Sequence, residues 1–282
     1  MDGRAQAPAA GTVLNALATG YGSAFAIDKY VTADVSLGGD EVTGEIADRP
    51  DADTSLIEQT VEIVLERFGD VEGATVRTES EVPLASGLKS SSAAANATVL
   101  ATLSALDAAE RVDREDAARL GVEAARAAGV TITGAFDDAS ASMLGGLTIT
   151  DNTADRLIDQ ESVTWDVGIW MPPEQGFSAD ADVERCERIA PVANVVKNLA
   201  ESGAYETAMT INGFAYAAAL EQPSEPLIEA LPEAAGVSLS GTGPSYVAIG
   251  EAAAIDAVVE RWADRTGQTI RTHTQSQGAI IE

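Results

Sequence analysis

The chain has 282 residues, long enough for one large domain or two ordinary ones with a substantial core. Its 45 acidic residues outweigh 17 basic ones for a net charge of −28, and only Lys29, Lys89 and Lys197 are lysines. Such a surface repels nucleic acid and anionic membranes, since Lys and Arg are what hold both, and argues against either as a partner.

In chain order, Ile27 to Leu37 alternates apolar and polar residues as a half-buried strand does. Ser55-Leu56-Ile57-Glu58 is a capping-box pattern; it predicts a helix with apolar Ile57, Val61, Val64, Leu65 and Phe68 that stops at Gly69. A strand near Thr75 to Val82 leads into Pro83-Leu84-Ala85-Ser86-Gly87-Leu88-Lys89-Ser90-Ser91-Ser92-Ala93. A helix at about Ser91 to Ala109 follows, apolar almost all round and so expected to be buried, and then a helix over Asp113 to Ala128. Thr131 to Asp138 reads as a loop, Ala139 to Leu144 as a short helix, and Gly145-Gly146 as a turn before a strand at Leu147 to Thr150. The polar stretch Asp151 to Glu161 is the expected domain boundary. Beyond it the pattern predicts strands at Val163–Met171, Gly236–Ser240, Ser245–Ile249 and Thr269–Thr274, helices across 181–221, and a helix at Ile255–Thr266. Strands and helices segregate rather than alternate, which predicts an α+β fold.

The acids are spread along the whole chain, which implies a salt-rich cytoplasm where counterions screen their repulsion. Cys186 and His273 are each the sole residue of their type, so no internal disulfide or Cys/His metal cage is expected. No segment approaches about 18 uninterrupted apolar residues, and Met1-Asp2-Gly3-Arg4 lacks a signal-peptide layout; the expected location is the cytoplasm.

Three segments carry chemistry. Pro83 to Ala93 combines a proline-bounded turn, a glycine hinge, hydroxyls and one cation ahead of a helix, the makings of a phosphate cradle; it also suits a plain serine cap. Its spacing is that of neither a Walker A loop nor a dinucleotide fingerprint. Asp137, beside Asp138 in an otherwise apolar loop, is placed to take or orient a proton, or else to cap the short helix after it. Gly241-Thr242-Gly243-Pro244 is either a tight hairpin or a backbone surface against the cradle or substrate.

Taken in order, these segments resemble the motifs of the GHMP kinases, the superfamily of galactokinase, homoserine kinase, mevalonate kinase and phosphomevalonate kinase. The cradle is similar to P-x-x-x-G-L-[GS]-S-S-A-A, Gly134 to Gly146 to G-x-x-D-x-A…G-G, and Ser240 to Ser245 to the C-terminal glycine motif. Ala7 to Gly11 through Gly20 to Ala24 resembles the N-terminal substrate motif more loosely. Gly-Leu-Lys-Ser-Ser-Ser in the cradle, Thr-Gly-Ala-Phe-Asp-Asp-Ala around Asp137, and Asn15-Ala16-Leu17 further resemble the archaeal shikimate kinases within it.

The resemblance implies two domains, residues 1–155 with a ribosomal-protein-like fold and 156–282 with a ferredoxin-like fold. It implies transfer of a phosphoryl group from ATP to the 3-hydroxyl of shikimate, with Asp137 as the catalytic aspartate. The phosphates fall to the cradle, Lys89 and the Ser90–Ser92 amides, and Mg²⁺ bridges their oxygens. The metal ligands it suggests are Ser92 and Glu123, the latter with spacing off by one residue and equally readable as an exposed helix acid. Asn15 and Thr133 are candidates for substrate hydroxyls, and Gly241, Thr242 and Gly243 for the substrate surface. The lysine that supports the aspartate in mevalonate-type members is missing, because Ala9-Ala10-Gly11 stands there; Lys89 or an arginine replaces it, or Asp137 acts alone. Homoserine or mevalonate kinase, and a nucleotide-binding regulator without catalysis, are the alternatives.

Overall fold

In the computed structural model, residues 1–47, 49–173 and 181–282 are described. The chain begins with two long antiparallel strands, β1 (Asp2–Leu14) and β2 (Tyr21–Leu37). The sequence pattern misses β1, because its middle, Ala5 to Gly11, is built of Ala, Gln, Pro and Gly, all poor strand formers in isolation. Tertiary packing explains their use. Helix α2 (Ser90–Ala105) lies on β1 so closely that a Cβ at Gly3 would come 2.0 Å from the Ala101 carbonyl oxygen. Small side chains on both elements are the condition for that approach, and α2 is buried on nearly every face as its composition predicts. It ends at Ala105, short of the predicted Ala109.

The first sheet has the order β11-β1-β2-β4-β3, with β5 and β6 continuing from the other half of β2. Here β3 is Val42–Ile46, β4 Ala74–Ser80, β5 Leu147–Asp151, β6 Arg156–Glu161 and β11 Ile280–Ile281. Seventeen residues of β2 serve two partners in turn: Tyr21–Phe25 pairs with β5, and Val31–Leu37 pairs with β4. Helix α1 (Ser55–Phe68) crosses between the parallel pair β3 and β4. With α2, α3 (Arg114–Ala127) and α4 (Phe136–Leu144) it closes one core over the sheet, built on Val31, Val35, Val61, Val64, Leu100, Leu103 and Phe136.

The second sheet is antiparallel in the order β10-β7-β9-β8, from β7 (Asp166–Met171), β8 (Gly236–Leu239), β9 (Tyr246–Gly250) and β10 (Gln268–His273). Fourth, first, third, second is the ferredoxin-like order. Helices α5 (Val183–Arg188), α6 (Ala190–Glu201), α7 (Tyr205–Ala219), α8 (Glu225–Ala230) and α9 (Ala252–Trp262) join and cover these strands. The halves share a core: Phe25, Ile27, Leu147 and Ile149 of the first sheet pack with Val167, Ile169, Val247 and Ile249 of the second. The Phe25 and Trp165 rings meet edge to face at 5.5 Å.

The expected division after residue 155 falls in the turn between β5 and β6. The stretch Asp151–Glu161 is not a linker: β6 is hydrogen-bonded to β5, and the second sheet begins at Asp166. The tail then returns, with β11 pairing to β1. Strand pairing therefore favours a boundary between Glu161 and Asp166.

Candidate active site

The cradle loop rises from β4 and ends at the N-terminus of α2. Ser86 Oγ donates to the Pro83 carbonyl at 2.8 Å and fixes the first turn. Gly87 has φ +80, and a Cβ there would fall 2.5 Å from the Ser240 carbonyl oxygen, so this close crossing requires glycine. Two hydrogen bonds staple the loop. Ala10 N–H on β1 donates to Leu88 O at 3.1 Å, and Ser240 Oγ donates to Gly87 O at 2.8 Å.

No serine caps α2. The cap residue is Lys89, left-handed at φ 63 and making no side-chain cap bond, while Ser90, Ser91 and Ser92 form the first turn. That removes the serine-cap reading of this loop. The first N–H groups of the helix have no partner within it, and its first turn holds no acid. A helix start of this kind, with a cation as its cap residue, attracts an anion.

The reading of Asp137 as a cap also falls. Helix α4 starts three residues earlier than predicted, at Phe136, with Ala135 as cap (φ 52) and both acids in the first turn. Asp137 is 4 % exposed. Asn152 binds it twice: Nδ2 donates to Asp137 Oδ1 at 2.7 Å, and Asn152 Oδ1 accepts the Asp137 N–H at 3.1 Å. Thr150 Oγ1 donates to the same Asn152 oxygen at 2.7 Å and so fixes the amide. Gly22 of β2 lies flush against the carboxyl, where a Cβ would come 2.4 Å from Oδ2. Burial pushes the Asp137 carboxyl up to about 7, and the Asp138 charge adds to this, whereas Lys89 and the Asn152 hydrogen bond pull it down.

Lys89 Nζ lies 2.9 Å from Asp138 Oδ1, with the two side chains only 8 % and 15 % exposed. The approach is ionic, since no hydrogen bond is aligned on that oxygen. The ammonium also rests on Gly241, where a Cβ would be 2.9 Å away. Gly241 is held in turn by Thr12 Oγ1, which accepts its N–H at 2.8 Å, and by Asn15 Nδ2, which donates to its carbonyl at 2.8 Å. Cradle, acid pair and glycine turn thus converge where the two sheets meet. A cleft of about 430 Å³ adjoins the front of the cradle, between Pro83–Ser86 and Pro244–Ser245.

The remaining predicted residues fare differently. Asn15 is buried: besides the bond to Gly241, its Oδ1 accepts the Leu17 N–H at 2.9 Å, so it ties the turn after β1 to the glycine turn. Thr133 sits half-buried before α4, its Oγ1 accepting the Ala135 N–H at 3.2 Å. Thr242 is half-buried beside the buried Gly241 and Gly243. Ser90 is buried, Ser92 half-buried and Ser91 exposed. Glu123 must be corrected: it is exposed on α3 and paired with Arg67 of α1, not turned to the cradle. Sequence reasoning misses Asn152, whose only signal is its place directly after a strand, within a stretch that reads as linker.

Residues 55–146 match the family description "GHMP kinases N terminal domain" and residues 191–268 match "GHMP kinases C terminal". A shikimate kinase of Halobacterium salinarum is 62% identical over 281 residues, 99% of each chain. The chain belongs to the GHMP kinases. Another full-length relative of this GHMP kinase, the shikimate kinase of Methanothrix thermoacetophila, is 50% identical over 99% of this chain and 96% of its own. Among solved structures, homoserine kinase from Cytophaga hutchinsonii superposes with a TM-score of 0.76 at 19% identity, covering 100% of this chain and 97% of its own. Methanococcus jannaschii mevalonate kinase gives 0.75 at 13% over 96% and 98%. These two show the shared GHMP fold and leave the substrate to the nearer sequences. ATP use follows from the family, and no helix among the described residues is long and apolar enough to cross a membrane.

Proposed function

We propose that this GHMP kinase phosphorylates the 3-hydroxyl of shikimate with ATP. The observation that carries the reading is the 62% identity to a shikimate kinase across 99% of both chains. The geometry supports it with a buried carboxyl, Asp137, set beside a cation and a free helix start.

The chain's own groups divide the work. The Ser90–Ser92 N–H groups and the Lys89 ammonium hold the phosphate oxygens, where charge builds during transfer. Asp137, poised near neutrality, accepts the proton of the attacking hydroxyl as that oxygen bonds to the γ-phosphorus and the bond to the β-phosphate bridge breaks. Asn152 fixes the direction in which the carboxyl points. Thr133, just before α4, and Thr242, in the glycine turn, are both half-buried and are the residues assigned to the acceptor.

Among the described residues no cluster of three or more His, Cys, Asp or Glu offers a metal cage. Mg²⁺ carried on a nucleotide needs few protein donors, because phosphates and water supply most of its oxygens. The half-buried Ser92 hydroxyl in the first turn of α2 fits that need, and Glu123 does not. When bound, the ion would supply charge neutralisation on the phosphates. The product tests the reading: phosphorus NMR of a reaction at molar KCl should show one new monoester on the 3-oxygen of shikimate. A phosphate on another oxygen, or none, overturns it.

A further inference from the structure

We propose that Asp138 is a positioning residue that aims the Lys89 ammonium at the phosphate-binding start of α2. The inference rests on the phosphate role given to Lys89 above. Lys89 is the left-handed cap of α2, so its backbone sends the side chain out of the helix register rather than along it. An ammonium only 8 % exposed requires a counter-charge, and Asp138 at 2.9 Å provides it. Asp138 has no capping duty to perform, because Ala135 is the cap of α4.

The contact is also of the right kind. No hydrogen bond is aligned on Asp138 Oδ1, so the pair is held by charge and proximity. A lysine ammonium has three N–H donors, so contact with one carboxylate oxygen leaves others for phosphate oxygens while the head sits between Asp138 and Gly241. The missing Cβ of Gly241 is the other wall of this seat. Sequence places a lysine in the cradle, and the fold supplies the acid that holds it, from a helix 49 residues later in the chain by the numbering of Lys89 and Asp138.

Asp138 has a second effect through Asp137. The charged or titratable groups acting on Asp137 are Asp138 on its own helix, Lys89 from the cradle and the Tyr216 phenol of α7, which burial keeps protonated. Removing the Asp138 charge frees Asp137 to ionise at lower pH.

Asp138→Asn tests this with wild-type enzyme as reference. We expect kcat/KM for ATP to fall by about tenfold or more, KM for shikimate to change by less than about twofold, and the acid limb of the rate profile to move to lower pH. Asp138→Glu should recover part of the ATP term. A Lys89→Met, Asp138→Asn double variant should be no worse than Lys89→Met alone, as members of one unit behave. Wild-type ATP kinetics in Asp138→Asn overturn the inference, and so does lost activity with an unmoved acid limb. Should Asp138→Asn fail to fold, Asp138→Glu carries the test: a raised KM for ATP supports the positioning role, and an unchanged one overturns it. A wild-type enzyme inactive on shikimate would instead overturn the function above; ADP affinity by calorimetry then reads the Asp138 effect without an acceptor.

Discussion

Asp137 carries opposed demands, and they can be measured separately. A carboxyl buried to 4 % exposure is a poor choice for stability and a good one for a base working near neutral pH. Its folded-state pKa of about 7 lies above the unfolded value of 3.8. The folded state therefore binds the extra proton, and stability is lost as pH rises from about 4 towards 7, with the full cost present above 7. Asp137→Asn should reduce kcat by roughly 10²-fold or more, and calorimetric Tm should rise more at pH 8 than at pH 5. A stability gain equal at both pH values would mean that the carboxyl is not the buried acid described. The wild-type kcat/KM should itself fall as pH drops through about 7, where Asp137 takes up its proton.

At the scale of elements, the site depends on where α4 is held, and its far end is gripped by the returning tail. Gly146 N–H donates to Gln275 O at 2.8 Å, and Ala279 N–H donates to Met143 O at 3.0 Å. Gly278, at φ +73, passes so close that a Cβ would lie 2.3 Å from Met143 O. Gly278→Ala should cost about 1–3 kcal/mol in denaturant melts and lower kcat more than KM for ATP, because the cradle stands on a different helix. Elements with a strong period of their own are the legible ones: α1 is found to within one residue at its start, although Thr54 rather than Ser55 is its cap and Glu58 accepts from Gly44 N–H instead of closing a capping box, and the strand within β2 is found by alternation. What escapes is decided by tertiary contact. Strand β1 is an Ala- and Gly-rich strand that only α2 makes sensible, and β6 is a polar edge strand whose exposed side chains read as linker. At the site, Asp137, Lys89 and the glycines are visible because each needs a residue type with special chemistry. Asn152 and the Lys89–Asp138 pair are invisible because no local pattern announces a contact between elements far apart in the chain.

For the whole molecule the governing quantity is the net charge of −28. Arginines meet acids across the surface in pairs such as Arg4–Asp34, Arg126–Asp155 and Arg271–Asp166, but the 45 acidic residues far outnumber the 17 basic ones. Screening by salt relieves the remaining repulsion. Thermal melts should therefore shift upward between roughly 0.1 M and molar KCl, and a Tm independent of salt would contradict the account. The 62% identity to a Halobacterium salinarum enzyme agrees with that expectation. The shared core between the sheets keeps cradle, acid pair and glycine turn in register, so the halves should unfold together. The most direct test of the whole account is ADP release at molar KCl with shikimate, homoserine and mevalonate offered separately. The account predicts turnover with shikimate and none with the other two; silence with shikimate, or turnover of another acceptor in its place, would contradict it.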